Sequence, residues 1–127
     1  MSINSPRAFN VPLADLPSFT TVPLSVPGGD SGRWHCEPGA ALVLQANVET
    51  SVSGLVYVAV LDGASGEALP GMALGDADPV RGNFLRKTVS WRGNATWGGG
   101  LRGGRVALRV AMADAKLYSV SWVCATT

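Results

Sequence analysis

From Arg105 to Cys124 the chain alternates apolar and polar residues almost without interruption, and this pattern constrains the fold more than any other feature. Val106, Leu108, Val110 and Met112 share one parity, and Tyr118, Val120, Trp122 and Cys124 share one parity in the stretch that follows. Successive side chains of a strand point to opposite faces, so this alternation is what a half-buried strand requires. The segment reads as two strands joined by a tight polar turn from Ala113 to Lys116.

The same reasoning finds strands upstream. Leu42, Leu44, Ala46 and Val48 form one face of a segment whose other face carries Val43, Gln45, Asn47 and Glu49. Leu55 to Leu61 is apolar throughout and rich in β-branched residues, as expected of a central strand covered on both faces. The Ser53-Gly54 break between these two segments predicts a hairpin. Phe19 to Val26 reads as a first strand, and Pro23 within it places it at an edge, since proline donates no ladder hydrogen bond. Phe84 to Arg92 is a further strand, with Leu85, Lys87, Val89 and Trp91 on one side.

Glycine and proline punctuate the chain between these runs. Pro27 to Gly32 and Asp62 to Gly66 are turn clusters, the second with glycines available for positive φ. Glu67 to Arg81 lacks a period and reads as a long crossing connection, and Gly93 to Gly104 is a glycine-rich loop. About six or seven short strands without helical periodicity predict an all-β protein, a two-layer antiparallel β-sandwich of jelly-roll type. Residues 1–18 are a loosely ordered lead-in and residues 19–127 a single sandwich domain.

Composition agrees. Hydrophobic residues make up 46% of the 127-residue chain, enough to build one sizeable core, and charged residues only 15%. A net charge of +1, with the arginines dispersed, argues against nucleic acid and against an anionic membrane surface as partners. No apolar run approaches the roughly 20 residues of a membrane helix. Met1 to Asn10 lacks the basic start and apolar stretch of a secretory signal. The expectation is a cytosolic chain or a piece of a larger one, extracellular if cut from a secreted parent.

Cys36 precedes the first core strand and Cys124 ends the last. A disulfide between them would close a long loop and stabilise by roughly 4 kcal/mol in the chain-entropy model. Two free thiols packing as small hydrophobes are the alternative, and the Cα separation decides between them.

Few residues offer catalytic chemistry. His35 is the sole histidine, and no Gly-x-Ser-x-Gly elbow accompanies it. His35, Cys36 and Cys124 do not have zinc-ligand spacing. Asp76 and Asp78 sit in a predicted turn, where turn chemistry, calcium ligation and a glycosidase carboxylate pair are the three readings; Arg81 is the cation expected to pair with one of them. Asn94-Ala95-Thr96 is a glycosylation sequon, relevant only in a secretory pathway. The sequence implies neither enzyme activity nor a cofactor.

The tryptophans carry the functional expectation. Flat aromatic rings stack on the apolar faces of sugars while neighbouring polar groups take the hydroxyls. Trp91 and Trp122 lie on strands at alternating positions and read as core. Trp34 and Trp97 lie in loops and are the candidate ligand contacts, with Arg92 and Asn94 as assisting hydrogen-bond donors. The competing reading folds Trp97 back as a plug over one end of the sandwich.

Several landmarks recur in one order: Thr20-Thr21-Val22-Pro23-Leu24, Leu42 to Asn47, Val56 to Asp62, Gly66-Glu67-Ala68-Leu69-Pro70-Gly71, Asp76 to Asn83, Val89-Ser90-Trp91 and the closing Asp114-Ala115-Lys116-Leu117-Tyr118-Ser119. This order resembles the C-terminal β-sandwich accessory domain of β-propeller glycoside hydrolases and related uncharacterised proteins, over roughly Phe19 to Trp122. The chain departs from that pattern in the insert from Gly29 to Pro38, and it contains no propeller. The resemblance implies a non-catalytic module associated with carbohydrate and with a catalytic domain. The alternative is a structural or self-associating module, for which the outward apolar positions Val43, Leu55, Ala107 and Ala111 would supply contact surface.

Overall fold

The computed structural model of the chain describes residues 16–25, 40–95 and 105–126. Five strands occur among them: β1 (Ser18–Thr20), β2 (Leu24–Ser25), β3 (Ala40–Asp62), β4 (Asn83–Thr88) and β5 (Arg105–Thr126). A three-residue 3-10 turn spans Leu74–Asp76. The chain is all-β, and its strands are joined in one antiparallel sheet of order β1-β5-β3-β4, with β2 also on β5. As Pro23 predicts, β1 and β2 lie at a sheet edge, separated by a break at Thr21–Pro23.

Two expected hairpins are absent. The segments on either side of Ser53-Gly54 belong to one strand, β3, and those on either side of Asp114 belong to one strand, β5. The two long strands pair with each other from Ala40↔Thr126 to Asp62↔Val106. Midway the register shifts: Thr50 faces Ala115 and Leu55 faces Ala113, so four residues of β3 oppose the single residue Asp114. An irregularity of this kind bends and twists a ribbon without reversing it. Asp114 takes a left-handed conformation, φ 49°. Gly54 is required because any Cβ there would overlap the Asp114 carbonyl oxygen, and Ser53 Oγ donates to Asp114 Oδ2 at 3.2 Å.

Both halves of the bent ribbon face one core. Leu42, Leu44, Ala46 and Val48 from the first half of β3 cluster with Val56, Val58 and Val60 from the second and with Val106, Leu108 and Val110 of β5. Parity in β3 is preserved because the four-residue excursion is even, so its inward face remains on even numbers. In β5 it changes at Asp114, where Leu117 faces Val48, and again before Val120, which faces Ala46. Tyr118 is the extra residue at that second shift, so it leaves the Val120–Trp122–Cys124 face assigned from alternation and stands 57% exposed. Fully burying each large aliphatic side chain contributes roughly 1.5–3 kcal/mol.

The connection after the Asp62 turn crosses between the two halves. It runs beside the second half of β3 through the bridges Leu61↔Ala68 and Val56↔Val80, then enters β4 on the first half. Trp91 and Val89 are buried as expected, but a register shift opposite Ala46–Val48 takes Leu85 out of phase with them and leaves it 80% exposed. The apolar positions expected to need covering are buried: Leu55 and Ala111 form a second small core with Leu16, and Val43 and Ala107 are also buried.

Candidate functional site

Of the expected ligand contacts, the structure describes Arg92 and Asn94, and both lie in one turn. Trp91 and Asn94 exchange backbone hydrogen bonds of 2.9 and 3.0 Å around Arg92-Gly93. Both central residues have positive φ, 51° and 80°, the signature of a type I′ turn and the reason glycine occupies the second position. This turn leads into residues 96–104, which include Trp97. Trp34, Trp97 and Cys36 lie outside the described residues. Cys124, near the end of β5, is disulfide-bonded.

Two carboxylates pin the turn. Asp76 Oδ1 accepts from Arg92 Nε at 2.7 Å and its Oδ2 accepts from the Ala73 N–H at 3.2 Å. Asp78 Oδ2 accepts from Ser90 Oγ at 2.6 Å and from the Gly93 N–H at 2.8 Å. The backbone continues the linkage, with the Arg92 N–H donating to Asp76 O and the Asp78 N–H to Ser90 O. Hydrogen bonds to the charged form favour it. The Arg92 guanidinium, then the Ala73 N–H, hold the Asp76 carboxyl below the usual carboxylate range. The Ser90 hydroxyl and the Gly93 N–H do the same for Asp78.

These bonds use both carboxyls to hold the turn, and they shift both downward, opposite to the raised pKa of a glycosidase's general acid. The cation paired with Asp76 is Arg92. Among the described residues no group of three His, Cys, Asp or Glu side chains is placed to hold a metal ion. Arg92 keeps an exposed guanidinium, 77% accessible, while its Nε is engaged.

Sequence reasoning did not find a second surface, formed where β3, β4 and β5 run side by side. An open depression of about 460 Å³ is lined by Asn47, Glu49, Asn83, Phe84 and Tyr118. Tyr118 Oη donates to Glu49 Oε1 at 3.2 Å. Lys87 Nζ lies 5.1 Å from the centre of the Phe84 ring, within cation–π range. Tyr118 was assigned to the core by alternation, so only the register shift that expels it could have revealed this surface.

No protein-family model, no curated protein and no solved structure matches the chain.

Proposed function

We propose that the chain is a non-catalytic accessory module that works beside a carbohydrate-active enzyme and contacts glycan through loop aromatics. The observation that carries this reading is the pinned turn at Trp91–Asn94. Binding residues act best on loops whose bases are rigid. Here the turn that precedes Trp97 in sequence is fixed by Asp76, by Asp78 and by the buried Trp91 indole. The two-layer, jelly-roll-like sandwich belongs to the same proposal, as does the contribution of Trp34, Arg92 and Asn94 to glycan contact. The order of sequence landmarks supports the association with carbohydrate chemistry.

A glycan array probed with the wild-type chain and with Trp97→Ala tests this. Retention of a glycan class by the wild type, weakened at least tenfold in the variant, is the expected outcome. No retention of any glycan would exclude the binding role.

A second reading is a self-associating module. It draws on Val52 and Leu85, which are 101% and 80% exposed near the bend. Light scattering at high protein concentration separates the two: concentration-dependent assembly abolished by Leu85→Ser supports association, and a monomer throughout excludes it.

A further inference from the structure

We infer that the outer edge of β4 is a docking edge for an extended acidic segment of a partner protein, which adds to the sheet as a further strand. The inference goes beyond the carbohydrate reading and does not depend on it.

The sheet ends differently on its two sides. On one side β1 and β2 are three and two residues long, and Pro23 lies between them. Short, proline-bearing edges resist further pairing. On the other side β4 has six residues without proline, and among the described residues it pairs only with β3.

The direction of its backbone groups follows from the ladder. The N–H and C=O of one strand residue point to the same side. The Val89 N–H donates to Leu44 O and the Thr50 N–H to Gly82 O, so from Leu44 to Thr50 the even-numbered residues of β3 turn their backbone groups toward β4. Phe84 and Lys87, opposite Val48 and Ala46, turn theirs toward β3 in return. The groups of Asn83 and Thr88 are thereby directed away from β3, as are those of Leu85–Arg86 at the register shift opposite Asn47. An incoming strand meets donors and acceptors along the whole length of β4.

Charge selects the occupant. Arg86 and Lys87 are adjacent, and β4 contains no acid. Among the described residues neither is in an ion pair; Lys87 instead lies over the Phe84 ring. A second copy of β4 would add its own two cations to the same short ladder, and lysine on an edge strand opposes such pairing. Aspartate or glutamate in the incoming strand turns the same charges into cross-strand attraction. Leu85, 80% exposed, offers a contact to an apolar residue between those acids. In strand addition the main-chain bonds give affinity and the side chains give selectivity.

The test is fluorescence anisotropy of the full chain with short capped peptides of alternating valine and glutamate, beside matched peptides carrying threonine or lysine in place of glutamate. The acidic peptide is expected to bind at least tenfold more tightly than the threonine peptide. Methylating alternate backbone nitrogens of the acidic peptide keeps its charge but removes ladder donors, and should weaken binding at least tenfold. The double substitution Arg86→Glu with Lys87→Glu should reverse the preference, so that the lysine peptide binds at least tenfold more tightly than the acidic one. Circular dichroism and the urea midpoint verify that this variant folds. Amide exchange in Asn83–Thr88 should slow when the acidic peptide binds. Equal binding of the methylated peptide reduces the contact to charge alone and overturns strand addition. Self-association that protects the same amides assigns the edge to a second copy and overturns the occupant. Tighter binding to phosphatidylserine vesicles than to the acidic peptide, or no binding of that peptide, overturns the proposal as well.

Discussion

The indole N–H of Trp91 donates to the backbone carbonyl of Val58 across 2.7 Å in the buried interior. This bond completes a row. The second half of β3 has β5 on one side but no regular strand on the other. Its carbonyls there are met one by one: Val56 by the Val80 N–H at 2.8 Å, Val58 by Trp91, and Val60 by the Leu69 N–H at 2.9 Å. A buried carbonyl without a partner costs free energy comparable to a lost hydrogen bond, so a tryptophan side chain here substitutes for a backbone donor.

Trp91→Phe should therefore destabilise by about 1–3 kcal/mol, since it strands the Val58 carbonyl while keeping most of the ring. Trp91→Ala should cost about 3–5 kcal/mol by adding a cavity. Urea unfolding followed by circular dichroism reads both. Equal midpoints for Trp91→Phe and the wild type would show that the indole bond contributes nothing to stability.

Gly54 and Gly75 form a matched pair of substitutions. A Cβ at Gly54 would overlap the Asp114 carbonyl, whereas nothing lies within 4 Å of one at Gly75. Gly54→Ala must displace one of the two long strands at the bend and should cost about 1–3 kcal/mol or more. Gly75→Ala should fall between neutral and about 1 kcal/mol stabilising, because it restricts the unfolded chain. Thermal unfolding of the two variants in parallel checks the prediction, and a tolerated Gly54→Ala would mean that the close approach at the bend is not obligatory.

Acid should lower the protein's stability through three turn carboxylates. The Ala64 and Ser65 N–H groups hold Asp62 below its ordinary range, and Asp76 and Asp78 are lowered by the contacts described above. A carboxyl with a lowered folded pKa binds its proton more readily when unfolded. The stability it contributes is fully present above the ordinary value of about 4 and is lost as pH falls through the lowered folded value. The urea midpoint should thus be flat from neutrality down to about pH 5 and fall below about pH 4. Asp78→Asn should flatten part of that fall. An unchanged acid slope in this variant would remove Asp78 from the account.

Cys124 is disulfide-bonded. A non-reducing proteolytic digest should yield a crosslinked pair containing the Cys124 peptide, separable only on reduction. Reduction should lower stability by about 2–5 kcal/mol. Recovery of an unlinked Cys124 peptide from the oxidised protein would contradict the bond.

Much of this was legible in the residues. The alternation of Leu42, Leu44, Ala46 and Val48, and of Val106, Leu108 and Val110, announced inward faces that the core uses. Pro23 announced an edge, and the Asp62–Gly66 turn has Gly66 at φ 78°. Trp91 proved to be core. The errors share one cause. Polar breaks at Ser53-Gly54 and Ala113–Lys116 look alike in sequence whether the chain reverses or continues. Reversal depends on which strand lies alongside, and that is a long-range fact. The candidate site divides in the same way. Arg92 and Asn94 were named for their closeness to Trp97 in sequence, and the type I′ turn that holds them emerged only in the structure, while the exposure of Tyr118 depends on a register shift against Asn47 and Val48.

By itself, then, the sequence determined the class of fold, the inward faces of the strands and the local turns. Side-chain parity and φ preferences act over a few residues, which is why these features can be read without a partner strand. Only the tertiary structure decided that β3 and β5 run unbroken through a bend, that Arg92 is the partner of Asp76, and that Tyr118 faces outward beside Glu49. Each of those outcomes depends on a pairing between residues far apart in the chain, where one residue of register moves a side chain from the core to the surface.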